Sequence, residues 1–575
     1  MIHRFVALTV VTLTLVSSPA AAQRRNQMPK ASTAPFSVVE ASIPELQAAL
    51  AAKRVTSRQL VEQYLVRIAM YDRQLRATIT VNPRALADAD MLDRERAQGR
   101  LRGPLHGIPI ALKDNIHTIG LRTTGGALAF ADLVPPYDAT LTKNLRDAGA
   151  IIIAKTQLTE LANWAATDMP GNYSAVGGHG LNPYDTRPDP RVGVDDGRGV
   201  LSTGGSSSGT GTAASFWPGD VGTDTGGSVL NPANATMIVG IRPTTGRLSR
   251  YGVIPITADQ DTPGPMARSV TDVAIMLGGM EGAAPDPNDP ATTVCTPPAG
   301  REYTKFLDAK ALKGARIGIP RAFFYDTITA GTSKTPRGGL SAAQQSVMRE
   351  VIGVLKAQGA IIVDPANVPS VMALNGEDNF TDFPFCQTAD HARSRNANCS
   401  TVFTYGMKRD FNVWLASLGD RAPVASLTAL REWNLAHQRM GAIRYGQARL
   451  DLSDEMDLRL DREHYEADRR KDIRLAITQG LDVALEGQRL DALLFPGISG
   501  SDMSARAGYP SIAVPYALIA ATTPANQPFP AHFEPKPRPF GVQILAGKCA
   551  EPKIIGLAYA FEQATKKRVP PPGYP

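Results

Sequence analysis

Two short apolar runs, Ile108-Pro109-Ile110-Ala111-Leu112 and Ile151-Ile152-Ile153-Ala154, flank a stretch of helical character, Leu141–Ala148. Apolar runs of that length, separated by a helix and bounded by turn residues, read as buried strands of an α/β sheet with helices on both faces. The pattern returns at Ala315–Pro320, Leu493–Pro496, Ile512–Pro515 and Gly541–Leu545, and a last helix covers about 551–565. Ser42-Ile43-Pro44-Glu45 and Thr56-Ser57-Arg58-Gln59 have the form of capped helix starts, and Leu60, Val61, Tyr64, Leu65 and Ile68 follow at helical spacing. Residues 270–280, 340–358 and 425–490 are also rich in helix formers, and no internal repeat is present. The expected organisation is a single domain over 38–575. It comprises N-terminal helices (38–85), a catalytic core (86–319), a helical, substrate-shaping region (320–480) and a C-terminal core (481–575).

The first residues predict export. Met1-Ile2-His3-Arg4 is followed by an apolar run from Phe5 to Val16 and then by Ser17-Ser18-Pro19-Ala20-Ala21-Ala22-Gln23. A positive start, a short apolar stretch and an Ala-x-Ala end make a signal peptide over 1–22, cleaved near Ala22. Residues 23–37 read as a flexible leader. The alternative is a retained anchor, but the run falls short of the roughly 20 residues that span a bilayer. The expected location is periplasmic or secreted, without stable membrane insertion.

The formal charge is +7. The basic residues are interspersed with acids, as in Asp461-Arg462-Glu463, and no basic block interleaves with aromatics. This argues against a nucleic-acid partner. The four cysteines are Cys295, Cys386, Cys399 and Cys549. Their spacing fits no zinc pattern; Cys386 and Cys399 are either a bridge or buried thiols. A homodimer is allowed, although the sequence does not fix the oligomeric state.

The densest chemical signal is Gly204-Gly205-Ser206-Ser207-Ser208-Gly209 together with Gly222-Thr223-Asp224-Thr225-Gly226-Gly227-Ser228. Flexible linkers have this composition, but linkers rarely lie between buried strands. A phosphate loop would need Gly-x-x-x-x-Gly-Lys-Ser/Thr, which does not occur there. A serine on a glycine turn can instead present its hydroxyl, with the backbone amides of Thr225, Gly226, Gly227 and Ser228 aimed at a developing oxyanion. A serine nucleophile needs a base. None of the eight histidines stands in a triad or metal motif. Lys113 ends the apolar strand Ile108–Leu112. It is either a surface lysine at a strand end or a desolvated amine with a lowered pKa.

Gly107–Asn115, Gly204–Gly209, Gly222–Ala233, Gly240–Gly252, Asp259–Arg268, Gly508–Pro515 and Phe540–Leu545 resemble, in order, the motifs of the amidase signature family. The resemblance covers roughly 40–275 and 485–565. It implies the amidase-signature fold, a mixed central sheet covered by helices, and a Ser–cisSer–Lys triad. Lys113 resembles the base, Ser206 the bridging serine behind a cis peptide, and Ser228 the acylated nucleophile; no metal or organic cofactor is implied. Glu160–Trp164, Ser206–Gly209 and Gln260–Pro265 are similar to the family's peptide-amidase branch, whereas the amidotransferase branch is cytoplasmic and needs partner subunits.

Three features depart from the family pattern. The Ser206–Ser228 interval is short, which keeps Ser207 as a second candidate for the bridge. An extra stretch, Pro188–Val200, is either a flap or an exposed loop. Leu230 replaces an arginine that often stands two residues after the nucleophile, which points to a neutral or apolar acyl group. The expected function is hydrolysis of a small neutral carboxamide or a peptide C-terminal amide. The alternatives are an esterase or carbamate hydrolase with the same triad, and a non-catalytic binding protein.

Overall fold

The computed structural model describes residues 36–204, 209–387, 398–521 and 527–575, together with Met1. The expected signal peptide, the leader up to residue 35, and Ser206 and Ser207 lie outside the described residues.

Residues Ser37–Pro575 form one unit around an eleven-stranded mixed sheet. From one edge to the other its strands are Thr78–Val81, Ile151–Thr156, Pro109–Lys113, Gly219–Asp224, Thr262–Ala267, Val239–Arg242, Ser511–Ile519, Arg538–Leu545, Ala492–Pro496, Arg316–Gly318 and Ile361–Val363. Three neighbouring strands, Ile151–Thr156, Pro109–Lys113 and Gly219–Asp224, run parallel, and the sheet turns antiparallel at Thr262–Ala267. These four strands are buried at every position, so both faces of the sheet are covered there. Helices Val270–Met280 and Glu551–Thr565 pack against the sheet and against each other. Both expected N-terminal helices form, Ile43–Ala51 and Ser57–Leu75, each closed by the reciprocal capping bonds that the sequence announced.

Two central strands were illegible in the sequence. Gly219-Asp220-Val221-Gly222-Thr223-Asp224 contains a single large apolar residue and is a strand because small residues let its neighbours approach closely. Thr262-Pro263-Gly264-Pro265-Met266-Ala267 carries two prolines, which argue against an inner strand. The Val239–Arg242 strand pairs with it only at Met266 and Ala267, past both prolines.

Residues 320–480 are not wholly helical, contrary to expectation. They contribute the edge strand Ile361–Val363, which pairs in parallel with Arg316–Gly318, and a small hairpin of Thr327–Ile328 with Arg337–Gly338. The helices of this region share a core with the catalytic part. Phe130, Trp164 and Ile254 pack in one cluster with Phe403, Phe411, Trp414, Leu430 and Leu450. The extra stretch Pro188–Val200 folds back on itself through a Pro188–Gly199 bridge. The Arg191 guanidinium is forked onto Asp189 and lies over the Phe529 ring, and the Tyr445 hydroxyl donates to Asp196 at 2.5 Å. The stretch is therefore tied to the helical region, although Val192 at its tip is 90% exposed. Disulfides join Cys386 to Cys399 and Cys295 to Cys549. Among the described residues no helix is long and apolar enough to cross a membrane.

Candidate active site

The strands ending in Lys113 and Asp224 are adjacent and parallel, with Ala111 opposite Asp220 and Leu112 opposite Val221. Their carboxyl ends therefore reach the same edge of the sheet, where open α/β sheets form their ligand crevices. Beyond Asp224 the chain turns through Thr225, Gly226 and Gly227 to Ser228 and enters the short helix Leu230–Ala235.

Lys113 is fully buried. Its Nζ donates to Thr223 Oγ1 at 2.6 Å and to the Thr223 carbonyl at 3.4 Å. Asn115 Nδ2 donates to the same hydroxyl at 3.0 Å. Burial pushes the Lys113 ammonium down to about 7, against the charges of Asp224 and Asp261, which favour the protonated form. An amine with that pKa is neutral in a large fraction of molecules at neutral pH, as a general base requires. The surface-lysine alternative is thereby set aside.

The turn before Ser228 is built on Asp224. Its Oδ1 accepts the Gly227 amide at 2.7 Å and Arg242 Nη1 at 2.6 Å, and its Oδ2 accepts the Val229 amide at 2.8 Å. Both members of the Asp224–Arg242 pair are fully buried. Gly227 has φ +116, and a Cβ there would meet Ser501 Oγ at 3.0 Å, so no other residue fits without strain. Four amides were expected to face an oxyanion: Thr225, Gly226, Gly227 and Ser228. The Gly227 amide is instead committed to Asp224 and closes the turn. The amides of Thr225, Gly226 and Ser228 carry no hydrogen bond to another described residue. Gly226 is exposed and Ser228 partly so.

Gly204 and Gly209 are the described residues that flank Ser206 in the chain. A Cβ on Gly204 would collide with Asn231 and Pro232, and one on Gly209 with Thr236. Gly204 and Gly209 thus lie against the stretch that follows Ser228.

One wall of the site comes from the helical region. A Cβ on Gly226 would lie 3.8 Å from Phe403 Cζ, so this ring tip is beside the turn before Ser228. Phe403 stacks on Phe385 (centroids 4.0 Å apart) and meets Trp164 edge-on (4.8 Å). The guanidinium of the buried Arg506 lies 4.1 Å from the centroid of the Phe385 ring. Trp164 follows three successive residues with left-handed backbone, Leu161 (φ 46), Ala162 (φ 55) and Asn163 (φ 71). Such conformations cost about 1–3 kcal/mol each and cluster at functional sites. The Leu161 amide, bonded to the Gly125 carbonyl at 2.8 Å, and Arg449, bonded to the Asn163 carbonyl, hold this turn.

Sequence reasoning quoted Asp224, Arg242, Gln260 and Asp261 only within motif stretches, without a role for any of them, and missed Phe403. A charged residue inside an otherwise buried stretch was the available signal for Arg242, which directly follows Ile238-Val239-Gly240-Ile241. Phe403 gave none.

A family model described as Amidase matches residues 59–555. The chain is 31% identical over 547 residues to a probable amidase of Arabidopsis thaliana, covering 93% of this chain and 92% of that protein. It is 31% identical over 515 residues to a putative amidase of Arthroderma benhamiae, over 88% of this chain and 79% of that protein. Among solved structures, the native peptide amidase of Stenotrophomonas maltophilia superposes with a TM-score of 0.75 at 35% identity, over 92% of this chain and 98% of that chain.

Proposed function

The chain belongs to the amidase signature family, and from that premise we propose that it hydrolyses a carboxamide C–N bond through an acyl-enzyme on Ser228. The observation that carries this reading is the fully buried Lys113, 2.6 Å from a hydroxyl on the strand that leads into Ser228. Neutral Lys113 accepts the Ser206 proton as Ser206 accepts the Ser228 proton. Ser228 Oγ bonds to the carbonyl carbon, and the oxygen takes up negative charge facing the amides of Thr225, Gly226 and Ser228. As the C–N bond breaks, the proton returns through Ser206 to the leaving amine. Water then adds to the ester carbon, gives its proton back along the same path to Ser228, and releases the acid. The role of Ser206 rests on the family resemblance.

A neutral acyl group is supported by the buried Leu230, two residues after the nucleophile, where the family often carries arginine, and by Phe403 beside the turn. The similarity to a peptide amidase supports a peptide C-terminal amide as the natural substrate class. The N-terminal sequence supports export with cleavage near Ala22, which N-terminal sequencing of the mature protein would check.

A panel of matched amides, anilides, esters and carbamates tests the substrate claim: turnover confined to esters or carbamates would count against it. A serine-directed fluorophosphonate tests the nucleophile. Adduct mass should map to Ser228 and vanish in Ser228→Ala; labelling elsewhere would refute the assignment.

A further inference from the structure

Asp261 is a buried carboxyl without a place in the mechanism above, yet it touches the oxyanion turn. Its Oδ1 accepts the Thr225 hydroxyl at 2.5 Å, and its Oδ2 accepts the amides of Ile256 at 2.9 Å and Thr257 at 3.1 Å. The preceding residue grips Thr225 from the other side, with Gln260 Nε2 donating to the Thr225 carbonyl at 3.1 Å. The Gln260 carbonyl in turn accepts Arg242 Nη2 at 2.7 Å, from the same guanidinium that holds Asp224.

The peptide bond makes this grip consequential. In a planar trans peptide the carbonyl and the next N–H point in opposite directions. Fixing the Thr225 carbonyl on Gln260 therefore fixes the Gly226 N–H pointing away from Gln260. Gly226 is the exposed residue of the turn, and its N–H makes no hydrogen bond to another described residue. A peptide plane held only at its carbonyl can still rotate about the flanking bonds; the side-chain bond from Thr225 to Asp261 supplies the second point.

We propose that Asp261 is a positioning residue for catalysis, holding Thr225 through its hydroxyl so that the Thr225–Gly226 plane presents the Gly226 amide to the oxyanion. The proposal rests on the reading of Ser228 as the nucleophile.

The buried Asp261 also borders a cavity. A cavity of about 290 Å³ is lined by Asp261, Thr223, Arg250, Tyr251, Asp410 and Trp414. The groups around the carboxyl come from several elements. Arg250, forked onto Asp289, favours its ionisation, whereas Asp410 on the helix Val402–Ser417 opposes it. Lys113 also feels its charge. Burial outweighs the hydrogen bonds from Thr225 and Ile256 and pushes the carboxyl up to about 6. The acid limb of activity then contains two deprotonations, one at Lys113 and one at Asp261. The logarithm of kcat/KM should fall with a slope approaching two below the lower of them.

The test uses the full-length enzyme with Thr225→Val, Thr225→Ser and Asp261→Asn. Measurements are kcat and KM on a hydrolysed amide, the rate of fluorophosphonate labelling at Ser228 across pH, and thermal unfolding. Thr225→Val should lower kcat and the labelling rate by about 10- to 100-fold with KM nearly unchanged, less than the full loss of an oxyanion donor. Thr225→Ser should restore both. Asp261→Asn should leave an acid limb of unit slope at lower pH, because a negative charge near Lys113 is gone. A folded Thr225→Val enzyme with wild-type kcat and labelling rate would overturn the proposal, as would an unchanged limb in Asp261→Asn. If the wild-type protein neither labels at Ser228 nor turns over an amide, the catalytic reading itself fails. Labelling with no effect of Thr225→Val sinks this inference alone.

Discussion

Lys113 and Lys155 are both fully buried, and they stand on adjacent parallel strands. Lys155 lies 3.3 Å from the Asp114 carboxylate and donates to the Ile116 carbonyl at 2.7 Å and to Thr123 Oγ1 at 2.8 Å, the surroundings of a structural ammonium. Lys113 has a threonine hydroxyl in the corresponding place. Its pKa, about 7 in the fold against 10.5 in an open chain, makes it a stability liability. Between these values the unfolded chain binds the extra proton, so this site's contribution to stability is least below about 7 and rises with pH up to about 10.5. Lys113→Met should therefore unfold at a higher temperature than wild type at pH 7, with the gap narrowing toward pH 10. The same variant should lose roughly 10²–10⁴-fold in kcat. Calorimetry across pH, paired with kinetics, checks this; a lower melting temperature at pH 7 would contradict the buried-amine account. In the wild type kcat/KM should rise through about pH 7. Arg242 is the opposite case, a buried charge that the turn depends on. Arg242→Met would leave Asp224 buried and unpaired, at a cost of about 3–5 kcal/mol in urea unfolding. Adding Asp224→Asn should recover part of that loss; no recovery would argue against the pair as the cause.

At the scale of elements, the strands and the turn define the chemistry and the helix Val402–Ser417 brings Phe403 to it. This helix is seated closely on the core. A Cβ on Gly406 would collide with Thr257, and Trp414 Nε1 donates to His117 Nε2 at 2.9 Å. That bond and its burial account for one histidine that the sequence left unassigned: burial pushes His117 down to about 3, so it stays neutral. With Phe403 fixed at the turn, Phe403→Ala should lower kcat/KM roughly tenfold or more for amides with aromatic or bulky apolar groups, by loss of apolar contact. Small aliphatic amides should be little affected. Equal effects on both classes would show a general disturbance of the site instead. The helix itself lies outside the stretches rich in helix formers and was expected only as part of the helical region 320–480. Which face it turns toward the core depends on contacts more than 100 residues away in the chain, which periodicity cannot supply. The strand Gly219–Asp224 was illegible for a different reason: its burial comes from what packs against it, not from its own side chains.

For the whole molecule, the two disulfides constrain very different lengths of chain. Cys295–Cys549 spans 254 residues and Cys386–Cys399 spans 13. On chain-entropy scaling, the first removes about 5 kcal/mol of unfolded-state freedom and the second about 3. Cys295→Ser with Cys549→Ser should therefore destabilise more than Cys386→Ser with Cys399→Ser. Denaturant midpoints would decide, and the reverse order would mean that local packing, not chain length, sets the cost. The sequence by itself determined the α/β class, the amidase signature, several of the sheet-forming runs and the candidates for base and nucleophile. These are legible because apolar period, capping pairs and glycine turns are local, and because the motifs recur in order along the chain. Only the tertiary structure decided the rest. It buried Lys113 enough to lower its pKa, turned the Gly227 amide inward onto Asp224, set Asp261 against Thr225, and brought Phe403 to the turn before Ser228. Desolvation and hydrogen-bond geometry depend on which distant segments exclude water from a residue, and that is settled only when the chain has packed.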